Sequence, residues 1–431
     1  MSVIDSADAL SAFQRLNHTR IERLSTLLPQ KAHFFLKVLP LILQTKDPIL
    51  PGYINQATPV GIVAYQRNNA VIDAAKIINH AFHYKRHSLH HYPLRGLYII
   101  NDNGQLNYHN DVEFDLWLVY AESITPEQLS LLQQKITAIC DWAYSSHQIK
   151  LNGRLLNQVS LSDKITTSDL DRFYSNGLEL AGLLPSWWTT PPTDQAEPIN
   201  TLQSSPVLHN DALDFGTLTS REDSAKIRLT HALKTIDIAM NSDLDACLSL
   251  IFHKIQLQQY PNFSWMSNQL KQAIYAGVTY PMLLDSNYLK LSYINTVCTD
   301  SDTLFIAQQS FYIQCRERLT KTVNLALYPW RRTFIKALYQ RWQSPPNTVE
   351  MIDKRVSSHY RQSLREYQDV RLQITSALQA AFLFAQQHVF NIEKDRQKLE
   401  KNSKFYLMTI LMLSTTYLRP LNQKVPKNSF I

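Results

Sequence analysis

The sequence predicts a chain in two parts, an α+β or α/β region followed by a nearly all-helical one. Three observations carry this. Between about residues 97 and 151, short apolar runs and one helix-period stripe follow in the order strand, turn, strand, helix, strand. The stretch LPSWWTTPPTDQAEPIN (Leu184 to Asn200) then breaks the pattern with four prolines. Beyond about Thr217 the apolar spacing is that of helices. A chain of 431 residues exceeds one simple core, and the two domains are placed at 1–195 and 215–431.

The elements follow in order. Residues up to about Leu43 predict helix, with Leu24, Leu27, Leu28, Phe34, Phe35, Val38 and Leu39 at stripe spacing. DPILPGYINQATPVGI (Asp47 to Ile62) holds three prolines and two glycines and reads as an ordered connection. Ala70 to Phe82 returns to helix, and LYII (Leu97 to Ile100) is a short buried strand. NDNGQLNYHN (Asn101 to Asn110) is turn chemistry, so the strands on either side of it are expected to pair as a hairpin. Ser123 to Trp142 is an amphipathic helix with Ser123 as N-cap and Pro126 in its first turn. A strand follows around His147 to Leu151. In the second half, Ser267 to Ala276 is a helix closed by Gly277, and Val356 to Phe390 keeps helical spacing.

Composition narrows the class. A hydrophobic fraction of 45% with only nine glycines fits a soluble, helix-rich globular protein. The net charge of +7 allows an anionic partner, but no block of Lys and Arg stands out, so a solvated surface is read and no nucleic-acid partner is expected. Cys140, Cys247, Cys298 and Cys315 are far apart, form no CxxC pair and suit reduced thiols in a cytoplasmic protein. The first residues carry Asp5 and Asp8 and no apolar segment of a secretion signal. The apolar run Phe405 to Leu418 falls short of the ~20 residues of a membrane span and is read as a core helix.

The chemistry concentrates in NDVEFDLWLVY (Asn110 to Tyr120). Asp111, Glu113 and Asp115 alternate along a strand and therefore share one face. Aligned like charges repel, so they are read either as metal ligands or as relics facing solvent. Asp111 lies roughly 13 Å along the strand from Asp115, too far to share its metal, and reads as a solvated strand end. His83 and His87, with His90 and His91 nearby, have zinc-compatible spacing but no accompanying cysteine, and read as a polar connector. Arg331 and Arg332 could touch phosphate, with a salt-bridged structural pair as the plainer reading.

With these residues in view the chain resembles a class I adenylate cyclase. LPGYINQATPVGI resembles that family's Pro-Gly-Tyr segment, with Pro51, Gly52, Tyr53, Pro59 and Gly61 in place. LRGLYIINDNGQLNYHNDVEFDLWLVY is similar to its strand, Gly-Ser turn and Asp-x-Asp strand. LDRFYSNGLELAGLLPSWWTTPP is similar to the segment that carries its Trp-Trp pair. QQYPNFSWMSNQLKQAIYAG and YPWRRTFIKALYQRW resemble segments further along, in the same order.

The resemblance implies an α+β, nucleotidyltransferase-like mixed sheet followed by an all-α domain. It implies conversion of ATP to cAMP and diphosphate with Mg²⁺ or Mn²⁺, and a C-terminal regulatory region beyond the segments matched here. Glu113 and Asp115 stand at the two catalytic and metal-binding positions, and Asn101 and Asp102 at the phosphate-binding Gly-Ser turn. The departures are consistent in kind. Glu113 adds a methylene, and displacements of about 1 Å can cost ~10²-fold in rate. Asp102 brings negative charge towards the phosphates. The strand expected to supply a third carboxylate, Gln148 to Leu151, has no acid, and its Lys150 would turn a metal site into an ion pair. Arg172, Ser175 and Leu183 replace other family residues. The expectation is a degenerate site, weak or inactive, that binds ATP or another nucleotide, or a protein partner in cAMP signalling. The alternative is an active Mg²⁺-dependent cyclase using Glu113 and Asp115.

Overall fold

The computed structural model describes residues 4–29, 32–84, 91–100, 106, 112–192, 212–216, 218, 221–320, 329–342, 348–356 and 364–389. The chain folds as two compact units. One comprises Met1–Thr219 with Trp265–Leu289, the other Ser220–Ser264 with Lys290–Ile431.

The first unit opens with α1 (Ser6–Leu27), α2 (Phe35–Gln44) and α3 (Asn69–Ile78). β1 (Leu94–Ile100) and β2 (Val112–Tyr120) form the expected antiparallel hairpin, with Ile100 opposite Asp115. α4 (Pro126–His147) then crosses over to β3 (Ile149–Asn157), which lies parallel to β2. α5 (Leu161–Lys164) and α6 (Thr167–Asn176) lead into β4 (Gly177–Gly182), antiparallel to β1. The sheet order is therefore β3-β2-β1-β4, a mixed sheet as the α+β reading requires.

α4 starts later than the sequence suggested. Its N-cap is Thr125, not Ser123, because Thr125 and Gln128 satisfy each other's backbone N–H groups in a reciprocal capping box. Its C-cap is Gln148, in the left-handed region at φ 56°, so Gln148 is a hinge into β3 rather than part of the strand. The Pro-Gly-Tyr segment is built against this helix. Gly52 sits at φ +75°, and a Cβ there would come within 2.6 Å of the Ile139 side chain. The buried Lys135 ammonium donates to the Gly52 carbonyl at 3.2 Å.

One face of the sheet carries the main core. Phe114, Leu116 and Leu118 of β2 pack there with Leu97 and Ile99 of β1, Ile136 and Ile139 of α4, and Phe35 and Leu39 of α2. The free edge of β4 is closed by a side chain. Asn17 of α1 donates to the Glu179 carbonyl at 2.8 Å and accepts from the Glu179 N–H at 3.0 Å, as a neighbouring strand would.

α9 (Met266–Tyr275) belongs with this unit, although its sequence falls among the helices of the second half. Besides its buried Met266, Leu270 and Ile274, polar links tie it there. Asp171 of α6 accepts from Ser267 N at 3.0 Å and from Ser267 Oγ at 2.6 Å, capping the first turn of α9. Ile4 N donates to Tyr275 O, and the buried Arg20 bridges the carbonyls of Ser175 and Leu284. Gly277, at φ +80°, ends α9 as expected.

The second unit is helical: α7 (Arg221–Ser242), α8 (Cys247–Gln258), α10 (Ser286–Val297, from Lys290 on), α11 (Ser301–Cys315), α12 (Pro329–Arg341), α13 (Thr348–Arg355) and α14 (Leu364–Phe384). The helix expected over Val356 to Phe390 thus begins at Leu364 within the described residues. Among the described residues no helix is long and apolar enough to cross a membrane. The run Phe405 to Leu418 lies outside them.

Edge closure leaves the Glu179 side chain largely out of water, and burial pushes its carboxyl up to about 7. A raised carboxyl binds its proton in the folded chain over a range where the unfolded chain has lost it. Stability therefore falls as pH rises from about 4.5 through about 7 and is lowest above that window. Glu179→Gln is expected to gain up to about 3 kcal/mol at pH 8 and to flatten this slope, as read from urea midpoints between pH 4.5 and 8.

Candidate functional site

The second face of the sheet holds the carboxylates. β2 emerges there through its odd residues, Glu113, Asp115 and Trp117, running from solvent into the interior. Glu113 is exposed, Asp115 half-buried and Trp117 buried. The inner end is aromatic: Trp117 stacks on Phe173 at 4.9 Å between ring centroids, and Phe215 and Tyr98 close around Phe173. Both carboxylates therefore lie within the strand, and β2 is longer than its apolar part suggested.

The parallel register with β3 decides what they meet. Glu113 is opposite Lys150, Asp115 opposite Asn152, and Trp117 opposite Arg154. Lys150 Nζ lies 2.9 Å from Glu113 Oε1, an ion pair whose side chains are 61% and 50% exposed and therefore weak. Asn152 Nδ2 donates to Glu113 Oε1 at 2.9 Å and to Asp115 Oδ1 at 3.0 Å. That amide and then Lys150 hold the Glu113 carboxyl below its usual range.

A second cation arrives from α6. Docking of Phe173 on Trp117 places the preceding residue, Arg172, over the strand, and its Nη2 lies 2.5 Å from Asp115 Oδ2. These side chains are 31% and 23% exposed, so this pair is better shielded than the first. Beside it, Arg154 lies over the Trp117 ring at 5.8 Å and pairs with Asp169 at 3.3 Å. The result is a layer in which Glu113 and Asp115 are matched by Lys150 and Arg172, and joined by one amide.

Sequence reasoning found Glu113, Asp115 and Lys150, and the structure brings them together. It missed Asn152 and the part played by Arg172. The signal for Asn152 was present, since Lys150, Asn152 and Arg154 alternate along one face of β3. Arg172 had no local signal, because its reach depends on packing between α6 and the sheet. β3 carries no acid along its whole length.

Asn101, Asp102 and Asp111 lie outside the described residues, as do His87 and His90. Among the described residues no group of three or more His, Cys, Asp and Glu side chains converges as a metal-binding set. Arg332 pairs with Glu317 at 3.0 Å and donates to the carbonyls of Arg318 and Leu319, while the buried Arg331 donates to the Cys315 carbonyl. Both arginines are thus engaged in holding the end of α11 to α12.

Comparison with known proteins gives the family. Residues 6–188 match the family model "Adenylate cyclase NT domain", and residues 230–407 match "Adenylate cyclase, class-I, second domain". The chain is 24% identical over 388 residues to the adenylate cyclase of Haemophilus influenzae, covering 81% of this chain and 44% of that protein. It is 24% identical over 370 residues to that of Escherichia coli K12, covering 79% and 42%, and 22% identical over 366 residues to that of Yersinia intermedia, again 79% and 42%. The chain thus spans less than half the length of these curated relatives. No solved structure matches. The two matched domains, in family order along the chain, show that it belongs to the class I adenylate cyclases.

Proposed function

We propose that this chain is a degenerate member of its family, weak or inactive in converting ATP to cAMP and diphosphate. It acts in the cytoplasm by binding ATP or another nucleotide, or a protein partner in cAMP signalling. Its nucleotidyltransferase-like domain is residues 1–195 joined by Trp265–Leu289, and residues from about 215 supply the helical domain.

One observation carries this reading. The two carboxylates that should hold divalent ions already have their counter-charges from the protein, Lys150 at 2.9 Å and Arg172 at 2.5 Å. Divalent ions such as Mg²⁺ or Mn²⁺ need oxygen ligands. Asn152 instead presents N–H donors to the inner oxygens of both acids. β3 offers no third carboxylate. This set of groups does not fit a pair of divalent ions, so no step of the reaction is assigned to one. What the site can do is position a polar ligand over a charge-balanced, hydrogen-bonded face.

A second reading has its own support. Glu113 and Asp115 share one amide donor, so their oxygens converge on a single point, as the carboxylates of an active cyclase would.

The readings separate on product. Incubated with ATP and either Mg²⁺ or Mn²⁺, the protein is expected to form no more cAMP than a Glu113→Ala/Asp115→Ala variant. cAMP that appears with the wild type and vanishes in the double variant would sink the degenerate reading. The tethered cations also set metal affinity. Lys150→Ala/Arg172→Ala is expected to bind Mn²⁺ roughly tenfold or more tightly than the wild type in calorimetry, because two positive charges next to the acids are removed. Equal affinities would show that the cations do not occlude the carboxylates.

A further inference from the structure

Within the helical unit, the end of α8 and the last turns of α14 enclose a concavity of about 340 Å³, a size that suits a small ligand. Leu257 and Gln258 close α8, and Tyr260 follows them on the same side. Opposite stand Ser376, Gln379, Ala380 and Leu383, which recur at helix spacing and so share one face of α14. The helix does not simply stop there. Ala385–Val389 continues it as a π-helical turn, and Gln387 and His388 of that turn complete the wall. Such wide turns are rare and are frequent at functional sites.

Two kinds of group face the concavity. The first is aromatic: the Tyr260 ring centroid lies 4.7 Å from that of His388 and 5.1 Å from that of Phe384, and the last two are 4.9 Å apart. Phe384 is buried, Tyr260 half-buried and His388 exposed, so the two outer rings are the ones open to a ligand. The second is the carboxamide. Gln258, Gln379 and Gln387 are exposed, and none of them hydrogen-bonds to another described residue. Gln256 and Gln259, which do not line the concavity, are engaged with Arg228 and Tyr293. Among the described lining residues none is an acid, a lysine or an arginine.

These groups define a ligand. With no fixed charge in the wall, recognition falls to stacking and to amide hydrogen bonds. Stacking on tyrosine and histidine calls for a flat ring. A carboxamide places an acceptor beside two donors, and it matches a ring edge that places a donor beside an acceptor. Adenine presents that edge, with the N6 amino group next to N7, and glutamine reads it with two hydrogen bonds in nucleic-acid complexes.

We propose that the concavity between α8 and α14 binds an adenine ring, as the free base or as its nucleoside. Tyr260 and His388 stack on the ring, and Gln379 and Gln387, on either side of Leu383 along the helix, read its edge. The site is separate from the carboxylate face and does not rest on the reading given to that face.

Photolabelling with 8-azidoadenosine, located by mass spectrometry, tests the proposal on the full chain. The label is expected in peptides that hold Tyr260 or residues 376–388, and to be equally strong in Glu113→Ala/Asp115→Ala, which separates this site from any nucleotide bound at the sheet. Gln379→Ala/Gln387→Ala changes exposed side chains and is expected to keep the wild-type Tm. The concentration that half-saturates the label is expected to rise roughly tenfold in it. Adenosine is expected to protect the wild type at concentrations at least about fivefold lower than inosine, whose O6 replaces the N6 donor. Adenine that protects as well as adenosine assigns the free base, and better protection by adenosine assigns the nucleoside. Label confined to the sheet unit, unaltered half-saturation in the glutamine variant, or equal protection by inosine would overturn the proposal.

Discussion

The parallel pairing of β2 with β3 is the constraint on which the rest of the site depends. Side chains alternate along each strand, so a single register fixes every cross-strand neighbour at once. This one sets Lys150 against Glu113, Asn152 against Asp115 and Arg154 against Trp117. A slip of one residue would turn Ile149 and Leu151 towards the carboxylates and bury Lys150 in the core. The fully buried Ile149 and the nearly buried Leu151 hold the register from the opposite face.

The aromatic packing below the carboxylates extends that logic to α6. Phe173 stacks on Trp117, and Tyr174 stacks on Trp187 at 4.5 Å, while Lys271 Nζ lies over Trp187 as well, 4.2 Å from its ring centroid. These contacts are apolar or cation–π and do not depend on metal or nucleotide. Packing thus holds α6 on the sheet independently of the charges above it. Arg172 illustrates the separation: its place is set by Phe173, but its effect falls on Asp115.

Much of the first unit was legible because it is written in short-range patterns. The hairpin followed from Asn-Asp-Asn-Gly between apolar runs, α4 from its stripe, and the shared face of Glu113 and Asp115 from strand alternation. The misses have common causes. Thr125 competed with Ser123 as a cap, and only the reciprocal bonds with Gln128 decide between them. Gln148 reads as strand by position but takes a left-handed turn to link α4 to β3. Arg172 and Asn152 depend on which elements meet, which is tertiary information. So does the placement of α9, whose sequence is as helical as its neighbours but whose first turn is claimed by Asp171, 96 residues earlier.

That last link bears on how the protein is made. A ribosome delivers the sheet and α6 first, then residues 220–264 of the other unit, and only then the helix whose N-terminus Asp171 caps. Until α9 has emerged, the Asp171 carboxylate and the Arg20 guanidinium lack the Ser267 and Leu284 groups they bind in the finished fold. The first unit therefore cannot be completed until part of the second has been made. Its completion is coupled to synthesis of a segment that belongs elsewhere, unlike domains that fold one after another from the N-terminus.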